Sequence, residues 1–162
     1  MVKKEFGEII NAHQQSQSID DFHRQQIQEW RDLLDQLIQD IETILEPEIS
    51  AGKISIAPYE VTLREGALGV YPMRSINLNV GNTQVALEPQ GTMYIGTKGR
   101  AILRGPKGEV VFMLLRKQES KGKDDIGPED WVWTIWNEPY VTEPVGITAE
   151  SVRDAIAKVL DG

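Results

Sequence analysis

Between residues 20 and 46 the chain places large apolar side chains at Ile27, Trp30, Leu34, Leu37, Ile41 and Ile44, at spacings that alternate between 3 and 4. That is the stripe of an amphipathic helix read in heptads. Leu33, Ile38 and Leu45 widen it on both flanks, and a stripe of that width suits packing against a sheet or a bundle. Ser18-Ile19-Asp20-Asp21 reads as an N-cap with acids in the first turn, while Pro47 and Gly52 mark the stop. The pattern therefore predicts a long helix over 19–46. Ahead of that cap, Phe6, Ile9, Ile10 and His13 sit at helical spacing and predict a shorter first helix over 3–15.

From Lys53 onward the period changes to two. Ile54 and Ile56, then Tyr59, Val61 and Leu63, then Ile76, Leu78 and Val80 alternate with polar neighbours, as half-buried strands do. Gly81-Asn82 is a two-residue hairpin signal, with Val85 and Leu87 on the return strand. Further strands are predicted around Met93–Ile95, Arg100–Arg104, Val110–Lys117 and Trp131–Trp136. Glu65-Gly66, Pro89-Gln90-Gly91, Lys98-Gly99 and Gly105-Pro106-Lys107-Gly108 punctuate them as turns. Val110 to Leu115 is apolar at every position, the mark of a central strand covered on both faces. The polar run from Gln118 to Asp130 reads as a mobile loop. Thr148 caps a last helix over 148–160, with Val152, Ile156, Val159 and Leu160 inward. No internal repeat is present.

Connections this short exclude parallel crossovers. The expected fold is α+β: an antiparallel meander sheet of about six to eight strands, a long N-terminal helix and a short C-terminal one. The chain divides into a helical segment, 1–50, and a β-rich domain, 53–162.

The 162 residues suffice for a core without disulfide or metal. There is no cysteine, so a thiol nucleophile, a redox pair and a thiolate zinc site are all excluded. No leader-like apolar run follows the charged start, and no stretch approaches the ~20 residues of a membrane span. A soluble cytoplasmic protein without membrane contact is expected. The formal net charge of -8 is unevenly spread: -7 over 1–50, zero over 51–97, +6 over 98–123 and -7 over 124–162. Overall acidity argues against broad nucleic-acid binding, with the positive block as the one local exception.

Candidate chemistry is sparse. His13 and His23 stand ten apart, without the i, i+4 spacing of a helical metal pair, and read as surface histidines. No nucleophile elbow accompanies the serines. Gly96-Thr97-Lys98-Gly99-Arg100 lacks phosphate-loop spacing and reads as a hairpin turn. Glu88 with Glu119-Ser120-Lys121 resembles the acid and acid-x-Lys set of a metal-dependent nuclease, but the triplet falls in a loop of commonplace surface residues. No cofactor and no catalytic residue is expected. The basic block comprises Arg100, Arg104, Lys107, Arg116, Lys117, Lys121 and Lys123. It could bind phosphate or an acidic protein, yet charge runs usually form a solvated face. Trp131, Trp133 and Ile135 share a strand face and read as core or interface rather than a ligand shelf.

Two function classes follow. The first is a non-catalytic protein–protein interaction module, of the adaptor or inhibitor type found among small bacterial and phage accessory proteins. The second is a small nucleic-acid-binding or nuclease-like module using residues 98–123. Size favours self-association in the first. A compact chain of this length is about 40 Å across, and a helix over 20–46 is about 40 Å long. Its own sheet can cover only one side, so Trp30, Leu33, Leu37 and Ile44 are expected to meet a second copy in a homodimer.

Overall fold

The computed structural model describes residues 5–93, 97–136 and 143–162. It has the expected α+β architecture: a long N-terminal helix, a seven-stranded antiparallel meander and a short C-terminal helix. Helix α1 spans Phe6–Ile44 and is followed by a short α2, Glu46–Ser50. The strands are β1 Ser55–Glu65, β2 Gly69–Val80, β3 Thr83–Gly91, β4 Gly99–Gly105, β5 Gly108–Arg116, β6 Trp131–Trp136 and β7 Val145–Gly146. They lie in the sheet in chain order. Helix α3, Ala149–Asp161, closes the chain, capped by a reciprocal pair of bonds between Thr148 and Ser151. Most of the strand expected at 93–95 lies outside the described residues. No helix among those described is long and apolar enough to cross a membrane.

The two N-terminal helices expected are one. α1 runs 39 residues without a break, a rod of about 58 Å at 1.5 Å per residue. Ser18 is not a cap, because Gln14-Gln15-Ser16-Gln17 contains no glycine or proline. Propagating a helix through glutamine and serine costs less than nucleating a second one.

Both helices pack on one face of the sheet. Trp30, Leu33, Leu34, Leu37, Ile41 and Leu45 of the α1 region join Val85, Leu87, Ala101, Leu103, Val110, Phe112, Leu114, Trp133 and Ile135 in one core. Val152, Ala155, Ile156 and Val159 of α3 complete it. Residues 1–50 therefore share their core with the β-rich part. Strand β5 is covered on one face only: Val110, Phe112 and Leu114 are buried, while Val111, Met113 and Leu115 stay half-buried.

The sheet opens at one place. β1 pairs with β2 over 55–65, but β2 pairs with β3 only from Asn77 to Val80. Beyond that point the buried side of β2 switches, from Ile76 and Leu78 to Tyr71, Met73 and Ser75. The far end of the β1–β2 hairpin thus bends away from β3. The Leu87 carbonyl, at the opening, accepts instead from the Tyr59 and Ser75 hydroxyls, both at 2.5 Å. Pro89, two residues on, has no N–H to satisfy.

Candidate functional site

The stripe expected to be left for a second copy is spent within the chain. Trp30 and Leu37 are fully buried and Leu33 nearly so, while Ile44 is half-buried against the same core. The Trp30 ring packs on Trp133 at 6.0 Å between centroids, and the Trp133 Nε1–H donates to the Leu33 carbonyl at 2.7 Å. The sheet and α3 cover the stripe between them, in one shared core. Trp30, Leu33 and Leu37 are therefore core residues, and the interface reading of them is corrected; Ile44 flanks the core.

What the body leaves uncovered is the N-terminal half of α1. Every residue from Glu5 to Phe22 is exposed. Among them are Phe6 at 77%, Phe22 at 59% and Ile19 at 55% exposure. Ile19 and Phe22 precede Gln26, Trp30 and Leu33 at helical spacing, so they continue the core-facing stripe past the edge of the sheet. Phe6, Ile9 and Ile10 point from a different side of the same rod. Where the rod leaves the body, Phe22, Gln25, Glu29, Lys98, Ile126 and Trp131 line a notch of about 350 Å³. Lys98 Nζ sits 3.1 Å from Glu29 Oε2 and 5.9 Å from the Trp131 ring centroid, bracing the notch floor. His13 and His23 lie along the same helix, away from this floor.

The fold gives several residues of the basic block local partners. Arg100 and Arg104 do share the outer face of β4, as the period of two requires. Arg104, however, is held between Glu88 at 3.0 Å and Glu109 at 2.8 Å, and Arg100 has an interaction of its own. Arg116 donates to the Ser120 and Lys123 carbonyls at 2.6 and 2.7 Å. Lys123 meets Asp130 at 3.1 Å and Glu129 at 3.6 Å. Lys107 is exposed at the β4–β5 turn, where its backbone N–H binds the Val159 carbonyl of α3 at 2.9 Å. Lys117 is half-buried and Lys121 exposed.

The polar run 118–130 is not featureless. Asp130 is 3% exposed and accepts from Ser120 Oγ at 2.6 Å, Gly127 N at 2.8 Å and Lys123 Nζ at 3.1 Å. The Ser120 hydroxyl first, then the Gly127 amide and the Lys123 ammonium, hold its carboxyl down to about 2. Two single-turn 3-10 helices, Gln118–Ser120 and Pro128–Asp130, are tied together by this one carboxylate. Glu119 of the nuclease-like triplet is exposed at the loop's start, and Glu88 is committed to Arg104. No group of three or more potential metal ligands exists among the described residues.

One buried carboxylate escaped the sequence reading. Glu65, 7% exposed, ends β1 and accepts from Thr92 N at 2.6 Å and Met93 N at 3.1 Å, and from the Tyr71 hydroxyl. Gly91 is required beside it, since a Cβ there would come within 2.3 Å of Glu65 Oε1. Burial drives the Tyr71 phenol well above its ordinary value, and the Glu65 carboxylate adds to the rise. The Trp30 indole, whose buried Nε1 makes no hydrogen bond of good geometry, opposes it. These bonds make the cluster a clasp between the bent hairpin and the end of β3. Between that hairpin and β3, Tyr59, Val61, Leu63, Glu88, Pro89 and Gln90 line an open cleft of about 490 Å³.

Comparison with known protein families, with curated proteins and with solved structures finds no match for this chain.

Proposed function

We propose that the protein is a non-catalytic protein–protein interaction module of the adaptor or inhibitor type, and that the overhanging half of α1 is its docking element. One observation carries this reading: a helix of some five turns, with Phe6, Ile9, Ile10, Ile19 and Phe22 exposed on it, stands clear of the body. A helical segment of that length is marginal in water by itself, and exposed large apolar side chains in series mark association sites. The partner surface that fits is an apolar groove with a basic rim, into which the helix lays the face that carries Ile19 and Phe22. The rim follows from the charge beside that face, where Asp20 and Asp21 stand against Arg24. Against the nucleic-acid alternative stands the use of Arg104, Arg116 and Lys123 in local bonds, which engages three of the block's seven basic side chains before any phosphate backbone arrives.

The test is photo-crosslinking in the cells that make the protein, with a benzophenone amino acid at position 22 and, as control, at exposed Glu150. A discrete protein adduct formed from position 22 and absent from position 150 is the expected result. Nucleic-acid adducts, or the same diffuse labelling from both positions, would refute the reading.

A further inference from the structure

β1 is an edge strand 11 residues long, and an unprotected edge of that length is a template for another strand. Which of its backbone groups face outward follows from the next hairpin. Gly81-Asn82 joins β2 to β3 with Val80 paired to Thr83. Gly81 has φ +62° while Asn82 does not have a positive φ, so the turn is type II′ and its closing pair exchanges both hydrogen bonds. Val80 thus points its N–H and C=O at β3. With no register shift along β2, its odd-numbered residues bond to β1. Their partners are the odd-numbered residues of β1, from Ser55 to Glu65. The even-numbered residues therefore present their backbone groups to the free edge. Pro58 falls in the even set, where a missing N–H breaks no bond within the chain.

The side chains on that edge are self-complementary. Pro58, Glu60, Thr62 and Arg64 are all exposed, and among the described residues Glu60 and Arg64 enter no ion pair. Antiparallel pairing of two β1 strands about a twofold axis at Thr62 sets Glu60 opposite Arg64 of the second copy, twice by symmetry. It pairs Thr62 with itself and Val61 with Leu63 on the opposite face. Moving the axis to residue 61 or 63 keeps the hydrogen-bond parity but loses both charge pairs. An edge armed only against association would carry like charges in this register; this one carries opposite charges.

We propose that β1 is the contact between two copies of this chain, joined antiparallel about Thr62 into one continuous sheet. The proposal rests on the reading of the protein as an interaction module, and it assigns self-association to a surface other than the overhanging helix. Each copy contributes backbone bonds from Glu60, Thr62 and Arg64. So short an edge contact is smaller than a standard interface, which sets the expected Kd on the order of 10–100 µM.

Sedimentation velocity of the full chain from about 5 to about 500 µM tests it. The mass should rise from 18.2 kDa toward twice that value. Glu60→Arg sets Arg against Arg, Arg64→Glu sets Glu against Glu, and each should weaken association at least ~10-fold. The double swap should restore it to within ~3-fold. Thr62→Pro removes an outward N–H that has no partner within the chain, so it should give a monomer that melts where the parent does. A chain that stays monomeric throughout overturns the proposal, and so does a dimer indifferent to Glu60→Arg and Thr62→Pro. If instead Ile19→Ser with Phe22→Ser abolishes the dimer and the edge variants do not, self-association belongs to the helix. That result, like a monomer that still crosslinks from position 22, leaves the helix reading standing while this one fails.

Discussion

Gly99 lies directly beneath the indole of Trp30: a Cβ at position 99 would come within 2.3 Å of the ring carbon Cζ3. The same device recurs at the other end of β4, where a Cβ on Gly105 would meet the Val159 carbonyl oxygen at 2.5 Å. Positions 99, 101, 103 and 105 share the inner face, so one seven-residue strand seats α1 at its first residue and α3 at its last. Gly99→Ala should therefore overpack the core and cost about 1–3 kcal/mol, read as a fall in Tm. Trp30→Leu makes room at the same spot, so the double variant should lose less than the two single losses added together.

That contact also marks the limit of what the chain shows before it folds. The 3–4 spacing from Ile27 to Ile44 was legible because helical burial repeats in sequence. The meander was legible because its turns are short. Where the stripe goes was not: periodicity says Trp30, Leu33 and Leu37 need cover and not whether a sheet or a second copy supplies it. The length of the helix against the width of the body does not decide it, because the overhang falls at residues 5–22 and not along the stripe. The partners of the basic block were not legible either; folding hands Arg104, Arg116 and Lys123 to local acceptors. Glu65 meets donors 27 and 28 residues away, a relationship no local pattern encodes. The free edge of β1 was hidden for a simpler reason, since a strand's place in the sheet depends on what fails to pair with it.

The opening between β2 and β3 rests on the Leu87 carbonyl and the Tyr59 and Ser75 hydroxyls. Tyr59→Phe or Ser75→Ala alone leaves that carbonyl one partner and should cost about 1 kcal/mol. The double variant leaves a carbonyl of a fully buried residue with neither, and should cost more than the two together, about 1–3 kcal/mol beyond additivity. Urea denaturation of the four proteins reads the coupling; strict additivity would mean that water takes over the carbonyl.

Glu65→Gln keeps the shape of the clasp but turns an acceptor into a partial donor. One end of the amide must then face the Thr92 and Met93 N–H groups and the other the Tyr71 hydroxyl. A loss of about 1–3 kcal/mol is expected. Tyr71→Phe in that background should recover part of it if the Tyr71 hydroxyl is the group left badly paired.

Asp130 gives the loop 118–130 a pH dependence of known sign. Its carboxyl titrates near 3.8 in the unfolded chain and at about 2 when folded. Folding therefore favours the charged form, and the contribution is complete above both values. It is lost as pH falls from about 4 through about 2. Asp130→Asn should flatten stability across that window and loosen the tie to Ser120 and Gly127. A carbon-13 titration of the carboxyl checks the folded value directly; a midpoint at or above 3.8 would mean the three donors do not hold it.

The two halves of α1 should differ sharply in stability although they form one helix. From Trp30 to Leu45 the rod is locked by the core, so its amides open only when the whole chain unfolds. From Phe6 to Phe22 every residue is exposed. There the helix persists by propagation from the anchored half, and each added residue gains little. Amide exchange in dilute solution should thus show protection rising steeply between Phe22 and Trp30, with the first turns exchanging fastest. The substitutions should divide the same way. Phe22→Ser should change stability by no more than about 0.5 kcal/mol, as surface changes do. Leu37→Asp buries a charge with no partner and should prevent folding. Strong protection of Phe6–Phe22 in the lone chain at low concentration would mean that the segment is already covered, and that its apolar side chains are not free to meet a partner.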